Sequence, residues 1–499
     1  MPFPAASASV RFNSRSKLLG SVALTCFLLL TPAFAEVLTL DRAIQLALEH
    51  NQRIRVSAYG PQIARANVLA EYGRFDPAIV FNRSYGEVET PGALLPLAKR
   101  PLTQTDDYSL SLDGLAPWGL SYSLGTTAEN QRGTFNSFGD NYATFGGVTV
   151  TQPLLRGFGF GANLAGLRIA KANRGISDWQ HKQTVMDTIT NVIFAYNNLQ
   201  QARDNLRIAR LSRDLASQLF GENQKRNRVG SIADADVTQA RARVATREES
   251  ILVFERNVHD LENQLRLLIG EDKFAVDGAP LAIVELPPAA AMTVDAAADL
   301  RVAYELRPDY QSQRLGVKIN RASQAFAQNQ LLPRLDFVGS YGYGGLDPNF
   351  HTARTQVRTE DARVYSVGMQ VRIPLTFSEG RGRARAARLT TKQSEADLVR
   401  LEEDIAVSVA AAAGQIATTQ QRVAAAREAL DLQQRVLSDE QKKFKAGSGD
   451  TRFVLQEQEQ LAIVESSYVR ALADQRRAHA NYDSVIGRTL ERYRVTLPK

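Results

Sequence analysis

The chain has 499 residues, a formal charge of +7 and a single cysteine, Cys26. Three of its cations sit near the N-terminus and the rest are spread among many acids; without a basic stripe carrying interleaved aromatics, nucleic acid is not a partner to expect. Past the first residues no segment is apolar enough or long enough for a transmembrane helix, so a membrane role has to come from strands.

Residues 1–35 have the layout of a secretory signal peptide: Arg11, Arg15 and Lys17, the apolar run Leu18 to Leu30, Pro32, then Ala33-Phe34-Ala35. Cleavage after Ala35 leaves a chain that starts at Glu36 and has no cysteine, which rules out disulfides and thiolate chemistry. Thr25 before Cys26 makes a poor lipoprotein signal, so lipidation is not expected.

The remainder reads as two copies of one plan, residues 36–270 and 292–488, joined by a linker at 271–291 and followed by a tail at 489–499. Leu38-Thr39-Leu40-Asp41 recurs as Met292-Thr293-Val294-Asp295, and each opens an amphipathic helix with the Asp as expected N-cap. The first helix is predicted to reach about Tyr72 and the second about Leu331. Strands are predicted at Pro77 to Gly86 and Pro333 to Gly344, then at Val148 to Pro153 and Tyr365 to Pro374. In the last of these Tyr365, Val367, Met369, Val371 and Ile373 share one face, while Ser366, Gly368, Gln370 and Arg372 share the other. Apolar outside and polar inside is what a water-filled barrel in lipid requires.

Between those strands in the first half, Tyr108, Leu110, Leu112, then Leu120, Tyr122 and Leu124 alternate around Gly114 to Gly119, an extra hairpin signal. It either lengthens its neighbours into an extracellular extension, the preferred reading, or enters the barrel and raises the strand count.

Proline-free stretches follow, Leu154 to Ala279 and Leu375 to Leu497, broken only near Val229-Gly230-Ser231 and Ala446-Gly447-Ser448. Each is predicted to be a long helix, a tight turn and a returning helix. Val185, Val192, Leu199 and Leu206 are seven apart, as are Val237, Val244, Ile251, Val258 and Leu265, and also Val409, Ile416, Val423, Leu430, Leu437 and Phe444. Sustained heptads indicate coiled-coil packing. A helix from Ala162 to Arg226 would be on the order of 100 Å long.

In the order of these elements, twice over, the chain resembles the TolC-like outer-membrane efflux factors. The residues that carry the resemblance are the opening Leu38 to Asn51, the junctions Thr151-Gln152-Pro153-Leu154-Leu155 and Arg372-Ile373-Pro374-Leu375, and the two turns with Asp236-Val237 and Phe453-Val454 after them. The resemblance implies an α+β membrane protein: a homotrimer sharing one antiparallel β-barrel, four strands from each copy, above a long α-helical coiled-coil tunnel in the periplasm. It also implies a passive outer-membrane duct for efflux or type I secretion, with lipid around the barrel. A periplasmic adaptor and an inner-membrane pump, of the RND or ABC type, would be its partners. Adaptor docking is expected at Val229, Gly230, Ser231, Ala446, Gly447 and Ser448. A periplasmic gate is expected among Arg228, Asp234, Asp236, Phe444, Asp450, Arg452, Phe453 and Gln456, with Arg452 pairing Asp234 or Asp236 of a neighbouring turn and Phe444 or Phe453 narrowing the opening.

Other signals are weaker. Gly157-Phe158-Gly159-Phe160-Gly161-Ala162 with Asp178 imitates a dinucleotide fingerprint, but the helix after it continues for many turns where the fingerprint needs a short return to a parallel strand. The histidines His50, His181, His259, His351 and His479 are scattered with no metal-ligand spacing. Glu248-Glu249 and Glu402-Glu403 lie among mixed charges, as a solvated helix face does. No enzyme activity, cofactor or metal is expected. A general diffusion porin would spend its length on strands, and a purely structural envelope coiled coil would lack the alternating strands.

Overall fold

The computed structural model describes residues 37–90, 100–270, 280–446 and 448–496. The proposed signal segment, part of the linker, Gly447 and the last three residues lie outside them.

The opening of each half is helical but broken. It runs α1 Leu40–His50, α2 Gln52–Ser57 and α3 Tyr59–Tyr72. The N-cap of α1 is Thr39, whose hydroxyl accepts from the Arg42 N–H at 3.2 Å; Asp41 instead lies in the first turn, where its charge suits the helix dipole. Asn51 ends α1 and caps α2 with its own side chain, which is why the expected single helix divides there.

Four strands follow: β1 Ala78–Glu89, β2 Leu102–Leu115, β3 Ser121–Gly133 and β4 Tyr142–Pro153. A short α4, Gly159–Asn163, leads into α5, Ala165–Arg228, which returns as α6, Asp234–Ile269. The second half repeats the plan with α7 Ala296–Leu306, α8 Pro308–Asn329, β5 Arg334–Asp347, α9 Phe350–Arg358, β6 Ala362–Arg372, α10 Ser378–Lys445 and α11 Thr451–Ile486. A last turn, α12 Thr489–Arg492, closes the described chain. Here the N-cap is the expected Asp295, and Pro308 divides the opening helix.

The six strands form one antiparallel sheet in sequence order, β1 to β6. The hairpin of the first half is therefore not an extension. β2 pairs with β1 and β3 with β4 along their lengths, so the hairpin stands between the two strands it was expected to lengthen. At 14 and 13 residues its strands match their neighbours. With six strands in one sheet among the described residues, the four per copy implied by the resemblance is corrected.

Register puts Ile79, Phe81, Leu110, Leu112, Tyr122, Leu124, Val148, Val150, Phe337, Tyr341, Tyr365, Val367, Met369 and Val371 on one face of the sheet. The other face carries Ser109, Ser111, Asp113, Ser121, Ser123, Thr127, Thr149, Ser340, Ser366 and Gln370. The first face suits lipid and the second suits water.

Among the described residues no helix is long and apolar enough to cross a membrane. The 64 residues of α5 make it about 96 Å long, and α10 has 68. The heptad positions point inward: Val185, Val192 and Leu199 are fully buried, as are Val409 and Ile416, with Leu430, Leu437 and Phe444 nearly so.

The repeat holds in three dimensions. Gly270 and Gly487 end α6 and α11 in the left-handed region, φ 73° and 85°, and an added Cβ would strike the backbone of His50 in one half and Leu306 in the other. Beside them Asn51 donates to the Leu268 carbonyl at 2.7 Å, and Arg307 to the Val485 carbonyl at 3.0 Å.

The largest buried cluster rings the middle of α5. Leu38, Ile44 and Ala47 pack there on Ile189, Val192, Tyr196 and Leu265, with Leu281, Ile283 and Leu286 of the linker and Leu490, Tyr493 and Val495 of the tail. The Tyr196 hydroxyl ties two strands of chain together through the carbonyls of Leu38, 2.9 Å, and Val284, 2.7 Å.

Candidate functional site at the helix tips

The two turns expected to dock a partner lie at the far ends of the long helices from the sheet. In the first, the Gly230 N–H donates to the Asn227 carbonyl and the Ser231 N–H to the Arg226 carbonyl, each at 2.9 Å, which satisfies the last carbonyls of α5. Gly230 adopts φ 75°, and nothing lies within 4 Å of where its Cβ would stand, so the backbone conformation rather than packing demands glycine. Val229 is 76% exposed. The Asn227 amide crosses the turn to the Ile232 carbonyl, 3.1 Å, and the Asp234 carboxylate, 2.8 Å.

In the second turn the Ser448 N–H and hydroxyl both donate to the Lys443 carbonyl, at 3.1 and 3.2 Å. Gly447 falls outside the described residues. Asp450 caps α11 by accepting from the Arg452 N–H at 2.9 Å, and its other oxygen takes the Arg452 guanidinium at 3.0 Å. These bonds hold the Asp450 carboxyl below the usual carboxylate range.

Within one protomer Arg452 is thus committed to Asp450, while Asp234 is held by Asn227. Phe444 and Phe453 part company. Phe444 is 3% exposed, packed with Leu219, Leu437, Val454 and Leu455 inside the hairpin pair, and so is not free to narrow an opening. Phe453 is 52% exposed. Arg228 and Gln456 are exposed and Asp236 is half-buried.

What fastens one tip to the other was not foreseen. The Arg226 guanidinium lies 4.0 Å from the Phe444 ring centroid and donates to the Phe444 carbonyl at 3.1 Å. Asn223, fully buried, accepts from the Thr451 hydroxyl at 3.4 Å. Above them Arg243 meets Glu459 at 3.1 Å. In sequence Arg226 is one cation in the run Lys225-Arg226-Asn227-Arg228, and the heptad series from Val185 reaches Asn227 rather than Arg226, so nothing in the spacing separates it from a solvated charge.

At the opposite end the glycine run is a corner. Gly157 and Gly159 take φ 85° and 86° between β4 and α5, and the Asn163 amide donates to both their carbonyls. The chain turns there from sheet to helix and no nucleotide-binding unit is formed.

Comparison with known proteins agrees with this architecture. Residues 116–271 and 300–488 match the outer membrane efflux protein family. The pyoverdine export outer membrane protein OpmQ of Pseudomonas aeruginosa is 24% identical over 237 residues, 47% of each chain, so the match spans about half of that relative. Among solved structures, the outer-membrane channel OprN superposes with a TM-score of 0.69 at 17% identity, over 90% of this chain and 89% of that one. The Campylobacter jejuni CmeC outer membrane channel gives 0.68 at 13% identity, over 90% and 86%. The sheet with one apolar and one polar face, the paired helical hairpins and the family match over most of the chain lead to one conclusion: the chain belongs to the outer membrane efflux protein family and has the fold of its outer-membrane channels, a barrel sheet joined to a long helical tunnel.

Proposed function

We propose that this channel is the passive exit duct of a tripartite efflux or type I secretion assembly, docking a periplasmic adaptor at its helix tips and drawing its energy from an inner-membrane pump. The observation that carries the reading is the pair of compact turns fastened side by side by Arg226 and Asn223 at the end remote from the sheet. Three copies would present six such turns in a ring, which suits end-on contact with a ring of adaptor hairpins. Gly230, Ser231 and Val229 in one turn, with Ala446, Gly447 and Ser448 in the other, form that contact. The open space around Gly230 allows close approach that a side chain would obstruct. That OpmQ is a pyoverdine export protein supports outward transport as the direction.

The same ends hold the tunnel shut. Arg452 exchanges Asp450 for Asp234 or Asp236 of a neighbouring copy in the closed state, and Phe453 narrows the opening. Both members of the Arg452–Asp450 pair are largely in solvent, so the exchange costs less than about 1 kcal/mol.

The docking test is Gly230→Glu combined with Gly447→Glu in cells carrying the cognate adaptor and pump. Loss of export and of adaptor crosslinking, with the trimer intact, is expected; a doubly altered trimer that still captured adaptor and exported normally would disprove docking there. For the gate, Arg452→Ala and Phe453→Ala are each expected to raise single-channel conductance, and unchanged conductance in both removes these residues from the gate.

A further inference from the structure

We infer that the assembled barrel has eighteen strands, with the β6 edge of each copy pairing antiparallel to the β1 edge of the next. The inference rests on the trimeric fold and the sheet, and is independent of what docks at the tips.

Both outer strands of the six-stranded sheet have an unpaired edge, β1 on one side and β6 on the other. Inside a bilayer such edges must be paired, because no water is there to satisfy their N–H and C=O groups. A sheet with an even number of antiparallel strands begins on an ascending strand and ends on a descending one, so β6 meets β1 of the next copy in the antiparallel sense that the rest of the sheet uses. At 12 and 11 residues the two are matched in length. Their outward faces continue one another: Ile79 and Phe81 on β1, with Met369 and Val371 on β6, are 79, 65, 64 and 59% exposed in the single protomer.

The inserted strands have the properties of barrel wall. Their outward residues Leu110, Leu112 and Leu124 are exposed and apolar, while Ser109, Ser111, Ser123 and Thr127 line the other face. The periplasmic turn of the hairpin is anchored at the corner between β4 and α5. The Gly159 N–H donates to the Trp118 carbonyl at 2.9 Å, Trp118 meets Phe160 edge-on at 6.4 Å, and Gly119 touches the Gly157 carbonyl so closely that a Cβ would stand 2.5 Å from it. No helix continues from this turn.

Electron microscopy of the wild-type trimer in lipid nanodiscs tests the count directly: a transverse section is expected to show eighteen strands, and twelve would overturn the inference. The seam is tested by disulfide trapping, since Cys26 in the proposed signal segment is the only native cysteine. Asn82→Cys is combined in turn with Ser366→Cys, Gly368→Cys and Gln370→Cys. At least one pair is expected to yield a covalent trimer on a denaturing gel without reductant, and Thr127→Cys with the same three to yield none. Trapping from Thr127, in β3, with none from Asn82 would place the seam at β3 and exclude β1 and β2 from the barrel.

Discussion

α5 and α10 are near twins in length and heptad pattern but have different neighbours. α5 is enclosed by α1, α2, α3, α6, α8 and α11, whereas α10 packs mainly on α7, α8 and α11 and meets α5 only near the tips, through Leu437 and Phe444. On α5 both flanks of the heptad stripe are covered, and Val185, Ile189, Val192, Tyr196 and Leu199 are fully buried. On α10 a second line of apolar residues, Val399, Val407, Leu432 and Val436, remains 44–70% exposed. We propose that in a trimeric tunnel the exposed line of α10 meets the next copy, so that the same periodicity serves folding in one half and assembly in the other.

The largest expected effect is at the enclosed helix. Val192→Asp would bury a carboxylate with no partner, at a cost of at least about 4 kcal/mol, and is expected to leave no protease-resistant protomer. Val407→Asp sharpens the contrast: the protomer is expected to fold with unchanged circular dichroism yet fail to give a trimer on native gels. A normal trimer from Val407→Asp would end the assignment of α10 to the seam.

A smaller difference separates two buried tyrosines. Tyr196→Phe leaves the Val284 carbonyl without its hydroxyl partner, while the Leu38 carbonyl keeps the Val284 N–H at 3.2 Å, and is expected to cost about 1–3 kcal/mol in denaturant unfolding. Tyr482→Phe leaves Asp299 still bound by Arg488 at 2.9 Å, so about 0.5–1.5 kcal/mol is expected. Equal losses would mean that the strap through Tyr196 is no more consequential than the single bond of Tyr482.

The smallest effect is on pH dependence. Burial lowers the pKa of His181 on α5 and of His479 on α11, the latter helped by Arg492, while Asp178 partly opposes the shift at His181. A histidine whose folded pKa lies below its unfolded value, about 6.5, contributes stability fully above that value and loses it as pH falls through the folded pKa. The unfolding midpoint is therefore expected to drop as pH falls below about 6.5. His479→Gln is expected to flatten that slope, and an unchanged slope would show that His479 is not its source.

Much of this was legible in the sequence because it is periodic. The seven-residue spacing from Val409 to Phe444 and the two-residue alternation from Tyr365 to Ile373 each survive in the structure as one buried and one lipid-compatible face. The inserted hairpin was harder to place, since Thr103, Gln104, Thr105, Asp106 and Asp107 are polar on both faces and erase the alternation over the first third of β2. Local choices among neighbours were also hidden: Thr39 rather than Asp41 caps α1, and Phe444 rather than Phe453 turns inward. At the tips the glycine was readable from its turn. The fastening by Arg226 depends on two hairpins lying side by side, a relation between residues 218 positions apart that no local pattern carries.

The ring of packing around the middle of α5 sets an order on biogenesis. Leu490, Tyr493 and Val495, made about two hundred residues after the linker, complete a core whose other members begin at Leu38. At translation rates of about 5–20 residues per second, roughly 10–40 s separate the linker from the tail, and for that interval the first half exists without its closing contacts. A newly exported chain is therefore expected to need shelter from aggregation until α12 arrives. A product truncated before Leu490 would remain unlatched in its first half, a fault that periplasmic proteases could recognise before any defective subunit joined a trimer.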